Sequence, residues 1–210
     1  MPTLGSVHAS VSRWLRRGNV FDADIPDLVR MAARSIERNY TLKYMERYVS
    51  FVISSLGTEP RAINLPSKRI KKIQSIRLPL ENGKFFSLRL IDPRELHSNR
   101  TGMPEGYWLD GMDYIWFDNL PDKDYPAEMV YDEYTAWPTA LDATNWLIEN
   151  ADDLLVAHTL THFKVLARLP PDARQEINEM VVRAMNELVR ADEELRGANL
   201  SVVMNYGVVQ

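Results

Sequence analysis

Two of the chain's four histidines stand four residues apart in "NADDLLVAHTLTHFKVL", residues 150–166. On a helix that spacing puts His158 and His162 one turn apart on one face, as a pair of metal-binding imidazoles would sit. A zinc hydrolase with this spacing carries a glutamate beside the first histidine as general base. Here the intervening residues are Thr159, Leu160 and Thr161. The two histidines instead fall in the middle of a stripe formed by Leu147, Ala151, Leu154, Leu155, Val165, Leu166 and Leu169. That position predicts neutral, packed imidazoles. No third ligand is advertised elsewhere, so neither a metal nor another cofactor is expected.

Carboxylates crowd "LDGMDYIWFDNLPDKDY", residues 109–125. Paired acids can do acid–base work or hold a divalent ion. These alternate with aromatics around turns, where Asp and Asn are favoured on backbone grounds alone. The nine glycines are scattered, with no spaced cluster to cradle a phosphate. No serine stands in a nucleophile elbow. Catalysis is therefore not expected. The run "SKRIKK" (Lys68, Arg69, Lys71, Lys72) is the one local basic patch and the candidate DNA-facing surface. It could meet phosphates, which makes a small nucleic-acid-binding protein the alternative reading. Lysines also guard strand edges against unwanted pairing, and the chain's net charge of −4 favours that simpler role.

The 210 residues suffice for a sizeable core, and 45% hydrophobic with 26% charged residues describes an ordinary folded chain. There is no cysteine, which excludes disulfides, thiolate nucleophiles and cysteine-based zinc sites. The N-terminus "MPTLGSVHASVSRWLRRG" lacks the apolar stretch of a signal peptide. No run reaches the ~18 apolar residues of a membrane span, so no membrane role is expected.

The elements that position these residues change character twice. "SVHASVSRWLRRG" spaces Val7, Val11, Trp14 and Leu15 by threes and fours and predicts a helix ending at Gly18. A second helix follows, with Asp24 as N-cap and Pro26 in the first turn. Its apolar face is Ile25, Leu28, Val29, Ala32, Ile36 and Tyr40, flanked by Arg30, Arg34 and Arg38. From about Met45 the period drops to two. Gly57 and Pro60 break the first strand, "DPRELHSN" predicts a helical turn capped by Asp92, and Asp110-Gly111 predicts a two-residue hairpin. The helical period returns after "WPTALDATN". A last long helix should run from Pro171 to Arg196, with Ile177, Met180, Val181, Ala184, Leu188, Ala191 and Leu195 inward and Gly197 closing it.

The expected fold is α+β: a helical bundle made by the N- and C-terminal helices, with an antiparallel β-subdomain inserted between them. The divisions are 1–44 for the first helices, 45–137 for the β-subdomain, 138–197 for the last helices and 198–210 for a tail. In the tail, Leu200, Val202, Val203, Met204 and Tyr206 lie beyond a helix-ending glycine with no core to claim them. Such a segment suits docking onto a neighbour. Tyr107, Trp108, Tyr114, Trp116 and Phe117 crowd more aromatic surface into one hairpin than its own core needs, as interfaces often do.

The order of segments resembles the head-to-tail adaptor proteins of tailed phages, of the podovirus type. The resemblance rests on Leu65-Pro66-Ser67 opening a strand, on Gly102-Met103-Pro104 with Tyr107 and Trp108, and on Pro121 before the next strand. It rests also on Asn145-Trp146-Leu147-Ile148-Glu149 ahead of Asp153-Leu154-Leu155. It covers nearly the whole chain except the last dozen residues. The chain departs from the pattern at Ala151, where the family has proline, and at His158 and His162, where it has small residues or glutamate. The resemblance implies a non-enzymatic virion part, assembled in the host cytoplasm and placed at the head–tail junction. It implies a ring of identical subunits, usually dodecameric, beneath the portal protein. The ring carries a tail or nozzle protein, and DNA transits its lumen without specific binding.

Overall fold

A computed structural model describes residues 1–15, 22–56, 62–95, 100–111, 113–166 and 170–205. The class is α+β, and the chain divides into two units, Met1–Tyr44 with Thr135–Gln210, and Met45–Tyr134.

The first unit is helical. Helix α1 (Leu4–Leu15) starts on a reciprocal cap: Ser6 N–H donates to Thr3 Oγ1 at 3.2 Å, and Thr3 N–H to Ser6 Oγ at 2.9 Å. Each hydroxyl satisfies an amide that the helix start leaves unpaired. Leu4, Val7, Val11 and Leu15 are buried, whereas Trp14, expected on that face, is 44% exposed. Leu4 shifts the centre of the face away from Trp14. Gly18 lies outside the described residues. Helix α2 (Ile25–Asn39) buries Ile25, Val29, Ala32, Ala33 and Ile36. Leu28 is only half-buried, and Tyr40 is exposed because the chain turns to extended backbone there. Asp24 occupies the N-cap position without a side-chain cap bond.

Helices α3 (Trp146–Asn150) and α4 (Asp152–Leu166) are separated at Ala151, whose φ of −151° and ψ of 38° break the helix without a proline. Helix α4 packs against α1, α2, α3 and the last helix, α5 (Pro171–Asn205). Of the expected α5 face, Ile177, Ala184 and Leu188 are buried, Met180, Val181 and Ala191 half-buried, and Leu195 is exposed; Met185 joins them inside. Gly197 does not close α5, which runs on through Asn205. A glycine inside a helix costs only about 1 kcal/mol, and Ala198, Leu200 and Met204 around it are favourable or tolerable helix residues. The expected irregular tail is helical as far as residue 205. The side chains of Leu200, Val202, Val203 and Met204, and all of Tyr206, lie outside what is described.

The second unit holds two four-stranded sheets, where one antiparallel sheet was expected. The first comprises β1 (Glu46–Ile53), β3 (Ile70–Pro79), β4 (Phe85–Ser87) and β8 (Tyr125–Glu133), in the antiparallel order β1-β8-β3-β4. The second comprises β2 (Ala62–Asn64), β5 (Arg89–Leu90), β6 (Gly106–Asp110) and β7 (Tyr114–Phe117), in the order β2-β7-β6-β5. There β5 and β6 run parallel. Short strands of alternating pattern do not reveal their partners in sequence, which is why two sheets read as one. Their shared core contains Ile53, Ile76, Leu78, Leu88, Ile115, Phe117, Ala127 and Met129. The turn at Asp92 forms as expected, with Arg94 N–H donating to Asp92 Oδ1 at 2.9 Å. The β6–β7 hairpin also forms, but Asp110 pairs with Tyr114, so its loop has three residues rather than two. Gly111 takes φ +61°, a left-handed conformation that glycine adopts without steric cost. Gly57 and Pro60 lie outside the described residues.

Candidate interaction surfaces

The histidine pair sits on α4 with ring centroids 5.6 Å apart and planes tilted by 43°. Both residues are half-buried, not central to a stripe. Leu154, Leu155, Val156, Ala157, Thr159, Leu160 and Phe163 are all buried, because neighbouring helices cover α4 on several sides. A helix buried nearly all round has no single stripe to read, and His158 and His162 take its less covered flank. Leu169 lies outside the described residues. Burial holds the His162 imidazole below its ordinary pKa, and its Nε2 has no hydrogen-bond partner among the described residues. Thr159 and Thr161 return their hydroxyls to the backbone carbonyls of Leu155 and His158, each at 2.6 Å. Among the described residues no group of three or more His, Cys, Asp or Glu is placed to hold a metal. Two imidazoles fall short of the three protein ligands that zinc takes.

An open pocket of about 270 Å³ lies at His8, Ala9, Ser12, Asp22 and Ile25. Burial keeps His8 below its ordinary pKa. Ser12 Oγ donates to Asp22 Oδ1 at 3.2 Å, so the serine proton is directed to a carboxylate and not to the imidazole. That is a structural use of the three residue types.

The aromatic hairpin divides by strand alternation. Tyr107 and Phe117 are buried in the core of the two sheets, at 6% and 0% exposure. Trp108, Trp116 and Tyr114 take the opposite face. Trp108 and Trp116 are cross-strand partners stacked at 5.9 Å, both half-buried, and Tyr114 is exposed. Trp116 Nε1 has no hydrogen-bond partner among the described residues although it is buried. Tyr107 and Phe117 therefore leave the candidate surface, and Trp108, Tyr114 and Trp116 remain.

The basic run is largely answered within the chain. Lys68 pairs with Asp113 at 3.0 Å, and Arg69 reaches Glu133 at 3.1 Å. Lys72 stands opposite Asp132 in the β3–β8 register. Lys71 also has an interaction partner. Glu133 collects further bonds: Ser67 Oγ donates to Oε1 at 2.5 Å, and Arg47 Nε lies 3.7 Å from Oε2. Burial pushes the Glu133 carboxyl up, but Ser67, Arg69 and Arg47 outweigh it and hold the group below the usual carboxylate range.

These contacts explain the sequence signatures. In Leu65-Pro66-Ser67 the serine tethers the start of β3 to the end of β8 through Glu133. Gly102 adopts φ +148°, and its N–H donates to Leu120 O at 2.8 Å, while Asn119 Nδ2 donates to Met103 O at 2.8 Å. Gly102-Met103 is thus fixed against Asn119-Leu120, with Pro104 and Pro121 both buried. Asn145 caps α3, its side chain accepting from Ile148 N–H at 3.0 Å. Trp146 donates its indole N–H to Thr135 Oγ1 and stacks on Tyr44.

Three buried acids escaped sequence reading: Asp132, which accepts from Gln74 Nε2 at 2.7 Å, and two in the helical unit, Glu37 and Asp192. Glu37 accepts from Thr135 N–H at 2.9 Å. Asp192 accepts from Lys43 N–H and from Arg196 Nε at 2.6 Å, and Arg196 Nη2 reaches Thr41 O at 3.0 Å. Their signal was an acid beside the apolar positions Ile36 and Ala191, but nothing local names a partner so far along the chain.

No curated protein matches the chain. A family model described as SU10 adaptor protein matches residues 2–203, which spans both units. The chain belongs to this family of phage head-to-tail adaptors and is a structural virion protein.

Proposed function

We propose that the protein assembles into a ring, dodecameric as in the resemblance above, between the portal protein and a tail or nozzle protein, at the head–tail junction. The observation that carries this reading is the family match across residues 2–203. The rest of the molecule supports it: its signature residues cap, tether and stack, as the parts of a building element do. DNA passes through the lumen without specific binding, and a subunit of net charge −4 suits such a channel. The face of Trp108, Tyr114 and Trp116 meets a neighbour or the tail. Residues 198–210, including Leu200, Val202, Val203, Met204 and Tyr206, dock on the portal or a neighbouring subunit. The patch at 68–72 favours no second reading, because Lys68 and Arg69 are already paired with Asp113 and Glu133.

Electron microscopy of purified protein mixed with DNA-filled, tailless heads tests this. A ring added at the portal vertex is the expected image. Unchanged heads at saturating protein would overturn the reading.

A further inference from the structure

Arg30, Arg34 and Arg38 recur every four residues along α2, and all three are exposed. Like charges at that spacing destabilise an isolated helix. No ion pair or hydrogen bond answers any of the three guanidinia among the described residues. Asp27, in the first turn, is an exposed acid near the row, whereas Glu37, three residues beyond Arg34, is buried and accepts from Thr135 N–H. Arg38, in the last turn, complements the helix dipole, but Arg30 and Arg34 lie outside that turn.

Its counterpart lies on α5. Asp172, Glu176 and Glu179 are exposed on one face of the first turns of that helix, with Glu179 accepting from Gln175 Nε2 at 2.9 Å and the exposed Arg183 ending the acidic run one turn on. At 1.5 Å per residue the arginine row spans about 12 Å and the acidic row about 10 Å. A large apolar side chain lies exposed near each: Met31 at 53% on α2 and Val182 at 60% on α5. Both helices pack on α4, so each row points away from the helix that its own unit buries.

We propose that the α2 arginine row of one copy docks on the α5 acidic row of the next copy. The proposal rests on the ring reading and names the contact that would build it. The two surfaces differ, so the contact is heterologous, the kind that closes into a ring when the rotation between copies allows. Met31 and Val182 supply apolar area, and the charges set partner and register more than strength.

A charge-swap experiment on the full chain tests this. One variant carries Arg30→Glu and Arg34→Glu, and the other carries Glu176→Arg and Glu179→Arg. Assembly is read by sedimentation velocity of free protein and by adaptor bound per portal-bearing head, with circular dichroism checking that each variant folds. Each variant alone should lose assembly, since its contact surfaces then carry the same sign. An equimolar mixture should regain it, because every alternating contact is again complementary. Raising salt should weaken wild-type assembly. Variants that assemble like wild type overturn the contact and leave the ring standing. A mixture no better than its parts, or lost DNA affinity with intact assembly, also overturns it, the latter assigning the arginines to DNA. Wild type that assembles neither free nor on portals overturns the ring reading itself.

Discussion

The rings of Trp146 and Tyr44 lie in parallel planes, 2° apart, with centroids separated by 5.3 Å. The same indole donates its N–H to Thr135 Oγ1, and Asn145 beside it caps α3. One signature dipeptide thus starts a helix and ties it to segments on either side of the β unit.

Trp146→Ala should therefore destabilise the helical unit by about 2–3 kcal/mol, somewhat under the 3–5 typical of a fully buried aromatic. Trp146→Phe keeps the stacking and loses the donor, for about 1 kcal/mol. Urea unfolding followed by circular dichroism separates the two. Equal losses would contradict a separate role for the indole N–H.

Acid should weaken the fold in two steps. The folded pKa values of His8 and His162 are depressed by burial below 6.5, so the unfolded chain binds protons more readily. Their contribution is complete above pH 6.5 and is lost as pH falls toward the folded values. Glu133, held below its usual 4.5, contributes fully above that pH and loses the contribution as pH falls through its folded pKa. Thermal melts from pH 7 to pH 3 should show both losses. His8→Gln with His162→Gln should flatten the first alone, and Glu133→Gln the second alone.

The hairpin aromatics should separate by face. Phe117→Ala opens a cavity at a fully buried position and should cost about 3–5 kcal/mol. Tyr114→Ala should alter subunit stability by no more than about 0.5 kcal/mol. If its face is an interface, Tyr114→Ala should nevertheless reduce attachment to heads or tails, measured by particle counts. Unaltered joining by this variant would remove Tyr114 from the interface.

Truncation after Gly197 removes the end of α5 beyond the Asp192–Arg196 pair. The buried positions Ile177, Ala184, Met185 and Leu188 all precede the cut, so the subunit should fold and melt within a few degrees of full length. It should fail to attach to portals. Normal joining by the truncated chain would sink the docking role of residues 198–210.

The α+β class was legible in the change of hydrophobic period, since alternation and helical spacing are properties of local sequence. The face of α2 was mostly legible for the same reason, through Ile25, Val29, Ala32 and Ile36. What failed was non-local. The His158 stripe misled because several helices cover α4, and the two sheets merged because strand partners are chosen across the chain. Glu37 and Asp192 are explained by Thr135 and Lys43, far away in sequence. The three-residue hairpin and the helix through Gly197 failed for a different reason: a favoured local signal was overridden at small cost.

The position of α4 among its neighbours also sets the order in which the protein can be made. Roughly a hundred residues separate the end of α2 from the start of α4, on the order of ten seconds of synthesis at common ribosomal rates. Throughout that interval α1 and α2 lack α4, against which both pack. The strands, contiguous from Glu46 to Glu133, are complete before α4 emerges. A nascent chain should thus hold a finished sheet unit while its first two helices still wait, making α1 and α2 the natural client surface for a chaperone.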